Sequence, residues 1–167
     1  GATERCLSLA ERASSAGWPE VEARALHEVG KRLNLQGRHE ETLRYYMGAL
    51  TLDEGLGDRL FGGRLYAATA NCLAQQGRND EAYAMSARAR EIHRRGGGGR
   101  MRLSTLGSMA KALMFAGHPE EAISIYEEIL PQLQAQTSPA TQAICLTNLG
   151  ASLPLVGRQA AAADAHT

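Results

Sequence analysis

Four glycines, Gly37, Gly77, Gly117 and Gly157, stand 40 residues apart, and this spacing constrains the chain more than any other feature. Each opens a similar stretch: GRHEETLRYYMGAL, GRNDEAYAMSARAR, GHPEEAISIYEEIL and GRQAAAADAHT. Each follows an apolar segment of helical period: ALHEVGKRLNLQ, YAATANCLAQQ, LGSMAKALMFA and LTNLGASLPLV. A fixed period of this size marks a repeat architecture. In the third unit Leu106, Met109, Ala110 and Leu113 recur at helical spacing. Gly117 follows where that helix must stop, since a left-handed C-cap is free of steric cost for glycine. Pro119 suits the first position of the next helix, and Glu120 and Glu121 complement its positive end. Ala122, Ile125, Tyr126 and Ile129 then form an inward face. The first unit repeats the plan with Leu26, Val29, Gly30 and Leu33, then Leu43, Tyr46, Ala49 and Leu50.

Small residues recur at fixed places. Gly30, Ala70, Ala110 and Gly150 share one site of each first helix; Thr42, Ala82, Ala122 and Ala162 share one site of each second helix. A small side chain there lets paired helices approach closely. One pair cannot bury its apolar face alone, so stacking supplies the core. The expected fold is all-α: a right-handed α-solenoid of stacked antiparallel helix pairs with about nine helices. A half repeat spans 1–17, repeats span 18–57, 58–97 and 98–137, and a partial repeat spans 138–167. Neither end has the polar face of a capping repeat. The sequence therefore reads as a segment of a longer protein, with open ends that could self-associate.

The pattern L-x2-[GA]-x2-[LY]-x3-G-x4-A-x3-[FY]-x2-A resembles the tetratricopeptide repeat. It falls on Leu26, Gly30, Leu33, Gly37, Thr42, Tyr46 and Ala49, then on Tyr66, Ala70, Leu73, Gly77, Ala82, Ser86 and Ala89. A third copy falls on Leu106, Ala110, Leu113, Gly117, Ala122, Tyr126 and Ile129, and a fourth keeps Leu146, Gly150, Leu153, Gly157 and Ala162. The period is 40 rather than the family's usual 34 or so, the extra residues falling between repeats as longer second helices or loops. The proline that usually closes a repeat is absent from the corresponding places. The longer spacing resembles repeats in bacterial regulators, such as sensor domains of multidomain transcriptional activators, and in kinesin light chains. The family's carboxylate clamp for chaperone C-termini is not reproduced, because its positions fall on His27, Lys31, Ala68, Ser104 and Ser108.

Eighteen basic side chains balance eighteen acidic ones, so no net field recruits nucleic acid or an anionic membrane. No apolar run approaches the ~20 residues that span a bilayer, and no signal peptide is evident. Cys6, Cys72 and Cys145 are odd in number and lack CxxC spacing, which argues against a disulfide framework or zinc site. They read as reduced thiols in a cytoplasmic protein. Arginine outnumbers lysine 16 to 2, the usage of a GC-rich bacterial genome. No Walker loop, strand-linked GxGxxG, GxSxG or HExxH occurs. Gly96–Gly99, flanked by arginines, reads as an inter-repeat loop, and Asp53–Gly63 lacks the alternating ligands of a calcium loop. The expectation is no enzyme, no cofactor and no metal.

The resemblance implies a concave surface lined by first helices, where ligands bind. By register, the candidate peptide-binding residues are Arg24, His27, Lys31 and Asn34 in the first unit and Arg64, Asn71 and Gln75 in the second. Lys111, Met114 and Phe115 follow in the third and Asn148 in the fourth, with Leu35, Ala67 and Leu155 beside them. Lys31, Asn71 and Lys111 are equivalent positions forming a ladder, and Arg24 and Arg64 form a second. An acidic peptide is the natural complement. The leading expectation is a scaffold that binds a protein or peptide segment; the alternative is a ligand- or partner-sensing domain of a bacterial transcriptional regulator.

Overall fold

A computed structural model describes residues 1–57, 61, 63–95, 103–136, 147, 150 and 154. These hold seven helices and no strand: α1 (Ala2–Ala16), α2 (Pro19–Leu35), α3 (His39–Gly55), α4 (Arg64–Gln75), α5 (Asn79–Arg95), α6 (Leu103–Phe115) and α7 (Pro119–Gln136). The expected count of about nine is not met among the described residues. The two further expected helices fall in the partial repeat 138–167, which lies outside the described residues apart from isolated positions, as does the stretch Gly96–Gly99 that the sequence reads as a loop.

The turns follow from the glycine spacing. Gly37, Gly77 and Gly117 take φ of 73°, 73° and 87°, the left-handed region that glycine enters without strain. After each, the next N–H reaches back over the helix end: Arg38 to the Leu33 carbonyl, Arg78 to Leu73 and His118 to Leu113, at 3.0, 3.0 and 2.9 Å. This closing pattern satisfies carbonyls that the helix end leaves free. The same turns carry a charged brace. Arg38 pairs with Glu41 at 2.6 Å and Arg78 with Glu81 at 2.7 Å, and in the third unit His118 takes the arginine's place, 3.6 Å from Glu121. Pro119 opens α7 as expected.

Helices α2 and α3 pack closely, as do α4 with α5 and α6 with α7. The small-residue seam holds each pair together. Thr42, Ala70, Ala82, Ala110 and Ala122 are all fully buried, and a Cβ on Gly30 would sit 2.5 Å from the Tyr46 ring. Tyr46, Ser86 and Tyr126, the aromatic position of the repeat, are buried as well. A continuous core runs from Ala23 through Tyr46, Leu50, Leu65 and Leu106 to Tyr126 and Ile129. In the second and third units the extra residues of the long period sit in part in the second helices: α5 and α7 have 17 and 18 residues, against 12 in α4 and 13 in α6, whereas in the first unit α2 and α3 both have 17.

Stacking between units is uneven. α4 packs directly on α6, whereas α4 meets the preceding unit through α3 and makes at most marginal contact with α2. The connection from α3 to α4 is pinned from within. Asp53, 1% exposed, accepts the Phe61 backbone N–H at 3.3 Å, and the Tyr66 hydroxyl donates to Glu54 at 2.5 Å. At the other end of this first block, Leu9 and Trp18 are exposed beside α1.

Candidate functional site: a cationic cleft on the first-helix face

Where α2 and α4 fail to close on one another, a cleft of ≈ 520 Å³ opens, lined by Arg24, His27, Glu28, Lys31, Tyr46, Phe61, Arg64 and Ala68. Helical spacing places them. Arg24, His27, Glu28 and Lys31 follow at i, i+3, i+4 and i+7, one face of α2, and Arg64 and Ala68 are four apart on α4. Tyr46 rises from α3 and Phe61 from the pinned connection.

The floor is aromatic. His27 stacks on Tyr46 with ring centroids 5.8 Å apart and lies tilted against Phe61 at 4.9 Å. The Arg64 guanidinium sits 5.9 Å from the centre of the Phe61 ring, a cation–π distance. Burial, reinforced by the Arg64 charge, pulls the His27 pKa down to about 4. The imidazole is therefore neutral at physiological pH.

The rim is cationic and only partly compensated. Lys31 donates to Glu28 at 3.0 Å, and this hydrogen bond holds the Glu28 carboxyl below its usual range. Arg24 and Arg64 make no ion pair with any described residue. Among the described residues, three exposed cations and one carboxylate thus leave a surplus of two positive charges at the rim of an aromatic floor.

Four of the residues singled out from sequence, Arg24, His27, Lys31 and Arg64, come together in this cleft. The others lie elsewhere. Lys111 sits 5.8 Å from the Phe115 ring centre, and Phe115 is half exposed at the end of α6. Met114 is partly buried against the core. Asn34 and Asn71 turn their side-chain oxygens inward, without a hydrogen-bond partner, and Gln75 is exposed. Ala67 is fully buried, so it packs α4 rather than lining a groove. Asn148 and Leu155 lie outside the described residues. The sequence reading missed Glu28, Tyr46 and Phe61. Glu28 was within reach, since it stands three residues before Lys31 on the same face.

A second cavity, of ≈ 550 Å³, lies between α5 and α7, with Leu106, Met109, Leu113 and Ile125 at its base. Arg90 bridges the two helices to Glu121 at 2.9 Å, and Tyr83 stacks on His118 at 4.1 Å. A hydrogen bond to Glu121 raises the Tyr83 pKa. Cys72 is buried with its thiol donating to the His39 carbonyl at 3.5 Å, and burial pushes its pKa up to about 11. It is protonated at neutral pH and a poor nucleophile. Among the described residues no three His, Cys, Asp or Glu side chains gather as a metal site, and no helix is long and apolar enough to cross a membrane.

The tetratricopeptide repeat family model matches residues 64–135, the segment from α4 through nearly all of α7. The resemblance read from the glycine register is thereby shown. Among solved structures, the chain is similar to nearly identical TPR-like repeats from Podosopora anserina, of a protein described as a kinesin light chain. The identity is 12% and the TM-score 0.63, covering 98% of this chain and 92% of that one. A point variant of those repeats gives 13% identity and a TM-score of 0.61, with 96% and 89% covered. At such identities the likeness establishes the fold. No curated protein matches the chain.

Proposed function

We propose that this chain, whose residues 64–135 are tetratricopeptide repeats, is a protein-interaction module that holds an acidic peptide segment against its first-helix face. Repeats of this kind generally mediate protein–protein interactions. The observation that carries the reading here is a pair of guanidiniums, Arg24 and Arg64, at one cleft between two units, neither ion-paired to a described residue. Arginine in such a place forms strong, directional bonds to a carboxylate. Lys111 stacked over exposed Phe115 offers a second, mixed contact further along the stack. Affinity would come from several modest contacts to a preformed surface.

A displayed library of random peptides, selected on the purified chain, tests this. Selected peptides should be enriched in Asp and Glu, and an Arg24→Ser, Arg64→Ser variant should lose them while keeping its helical content. Peptides without acidic enrichment, or binding indifferent to both arginines, would refute it. A second reading, a ligand-sensing segment of a transcriptional regulator, draws on the same cleft, because ≈ 520 Å³ lies in the range of small-molecule sites. It requires that ligand binding change the angle between the α1–α3 and α4–α7 blocks. Small-angle scattering with and without a bound selected peptide or small anion would show that change.

A further inference from the structure

We propose that the cleft between α2 and α4 is a receptor for a phosphate monoester dianion, whether carried on a phosphorylated side chain or on a free small molecule. This deepens the peptide-groove reading and rests on it only in taking the cleft as the place where a ligand enters.

The charges of the lining make the argument. Arg24, Lys31 and Arg64 bring three positive charges and Glu28 one negative. Lys31 is already engaged by Glu28 at 3.0 Å, so the surplus of two resides on guanidiniums that have no acidic partner among the described residues. A carboxylate ligand would satisfy one and leave the other facing it. A phosphate monoester carries close to two negative charges at neutral pH and three acceptor oxygens, so it matches both. Guanidinium groups also bind phosphate through paired N–H donors. Size agrees with this assignment: ≈ 520 Å³ admits a side chain or a small molecule but no further helix.

The floor adds a reporter. His27 is mostly buried, with its side chain 12% exposed, and it faces Arg64 across the cleft with Glu28 and Lys31 on its own helix and Tyr46 and Phe61 beneath. Arg64 and Lys31 oppose its protonation and Glu28 favours it. A dianion seated between the arginines offsets their field at the ring, so the His27 resonances must shift on binding.

The test uses the full chain at pH 7.5 with three probes: inorganic phosphate, an alanine-flanked phosphoserine peptide, and the same peptide with glutamate in place of phosphoserine. Titration calorimetry reads affinity and NMR follows the His27 ring. The phosphopeptide should bind at least about tenfold tighter than the glutamate peptide, as expected if one more charged hydrogen bond is made. Arg24→Gln or Arg64→Gln should each weaken it about tenfold or more. Glu28→Gln should tighten it by freeing Lys31, a gain that a misfolded variant could not mimic. The His27 ring resonances should shift on saturation with the phosphopeptide at this pH. Phosphate binding as tightly as the phosphopeptide identifies a free phosphate ligand; binding of the phosphopeptide alone identifies a modified partner chain. If both peptides bind equally and depend on the arginines, the dianion is overturned while the acidic-peptide reading survives. If no probe moves the His27 resonance, the cleft is not the site.

Discussion

The two interior glycines of α2 and α3 should respond to alanine with opposite signs. In an exposed helix, Gly→Ala gains about 1 kcal/mol, because glycine loses more backbone freedom on folding. Gly48 is close to that limit, since a Cβ there would meet only Leu26 Cδ1, at 3.4 Å. Gly30 is not. A Cβ there would lie 2.5 Å from both Cδ1 and Cε1 of Tyr46, closer than packed carbons approach. The ring cannot swing aside, because it is 2% exposed and stacked on His27. Overpacking of this kind costs about 1–3 kcal/mol, and the upper part of that range applies where two ring atoms must move together. After the helix-propensity gain is subtracted, Gly30→Ala should destabilise by about 1–2 kcal/mol and Gly48→Ala should stabilise by about 0.5–1 kcal/mol. For a chain of this size the melting temperature should fall by about 2–8 °C in the first variant and rise by about 1–4 °C in the second, as read by circular dichroism. In a Tyr46→Leu background the cost of Gly30→Ala should shrink. A Gly30→Ala protein as stable as the parent would refute the close-approach argument.

Three further outcomes follow from buried groups. His27 has its folded pKa depressed to about 4 from 6.5, so its contribution is fully present above pH 6.5 and is lost as pH falls toward 4. The loss is roughly 2–3 kcal/mol as an upper range, and urea titrations across that window should show a slope that His27→Gln flattens. Asp53→Ala removes the acceptor of the Phe61 N–H and should cost about 1–3 kcal/mol, with Asp53→Asn milder; equal stability of parent and alanine variant in urea would contradict the anchor. Ala122→Leu overpacks the α6–α7 seam and should cost about 1–3 kcal/mol, so an unchanged melting temperature would contradict the seam.

What the sequence made legible was local. Gly37, Gly77 and Gly117 must be left-handed wherever a helix ends in that way, so the turn positions needed no tertiary knowledge. The seam residues Gly30, Ala70 and Ala110 were legible for a similar reason, since only a small side chain recurs at one register. Gly17 and Gly57 passed unnoticed, although both also take positive φ and mark the ends of α1 and α3 on the same 40-residue period. The electrostatic outcome was less legible. Arg38–Glu41 and Arg78–Glu81 are paired within their turns, and Lys31 is taken up by Glu28, so equivalence by register did not make Lys31, Asn71 and Lys111 alike. Asn71 is half buried and Lys111 leans on Phe115, because neighbours on the same helix decide where a long side chain goes.

The cleft itself has a cause in chain length. Helices α2, α3 and α5 begin at Pro19, His39 and Asn79, a rhythm of 20 residues that would start a helix at position 59. Instead α4 begins at Arg64 and has 12 residues where α2 has 17, and α6, at 13, is similar in length to α4. The N-terminal part of α2, which carries Arg24, therefore has no matching turn of α4 to pack against. The connection that replaces this turn is held by Asp53 and lays Phe61 under the gap. A full-length α4 would bury this face between helices, where unpaired guanidiniums are too costly to keep. A shortened one leaves it solvated and cationic over an aromatic floor. The mismatch in helix length and the candidate site thus coincide: where first helices of similar length stack, as α4 and α6 do, the first-helix residue Ala67 is sealed in the core, and where the long α2 meets the short α4, charge can stand open to a ligand.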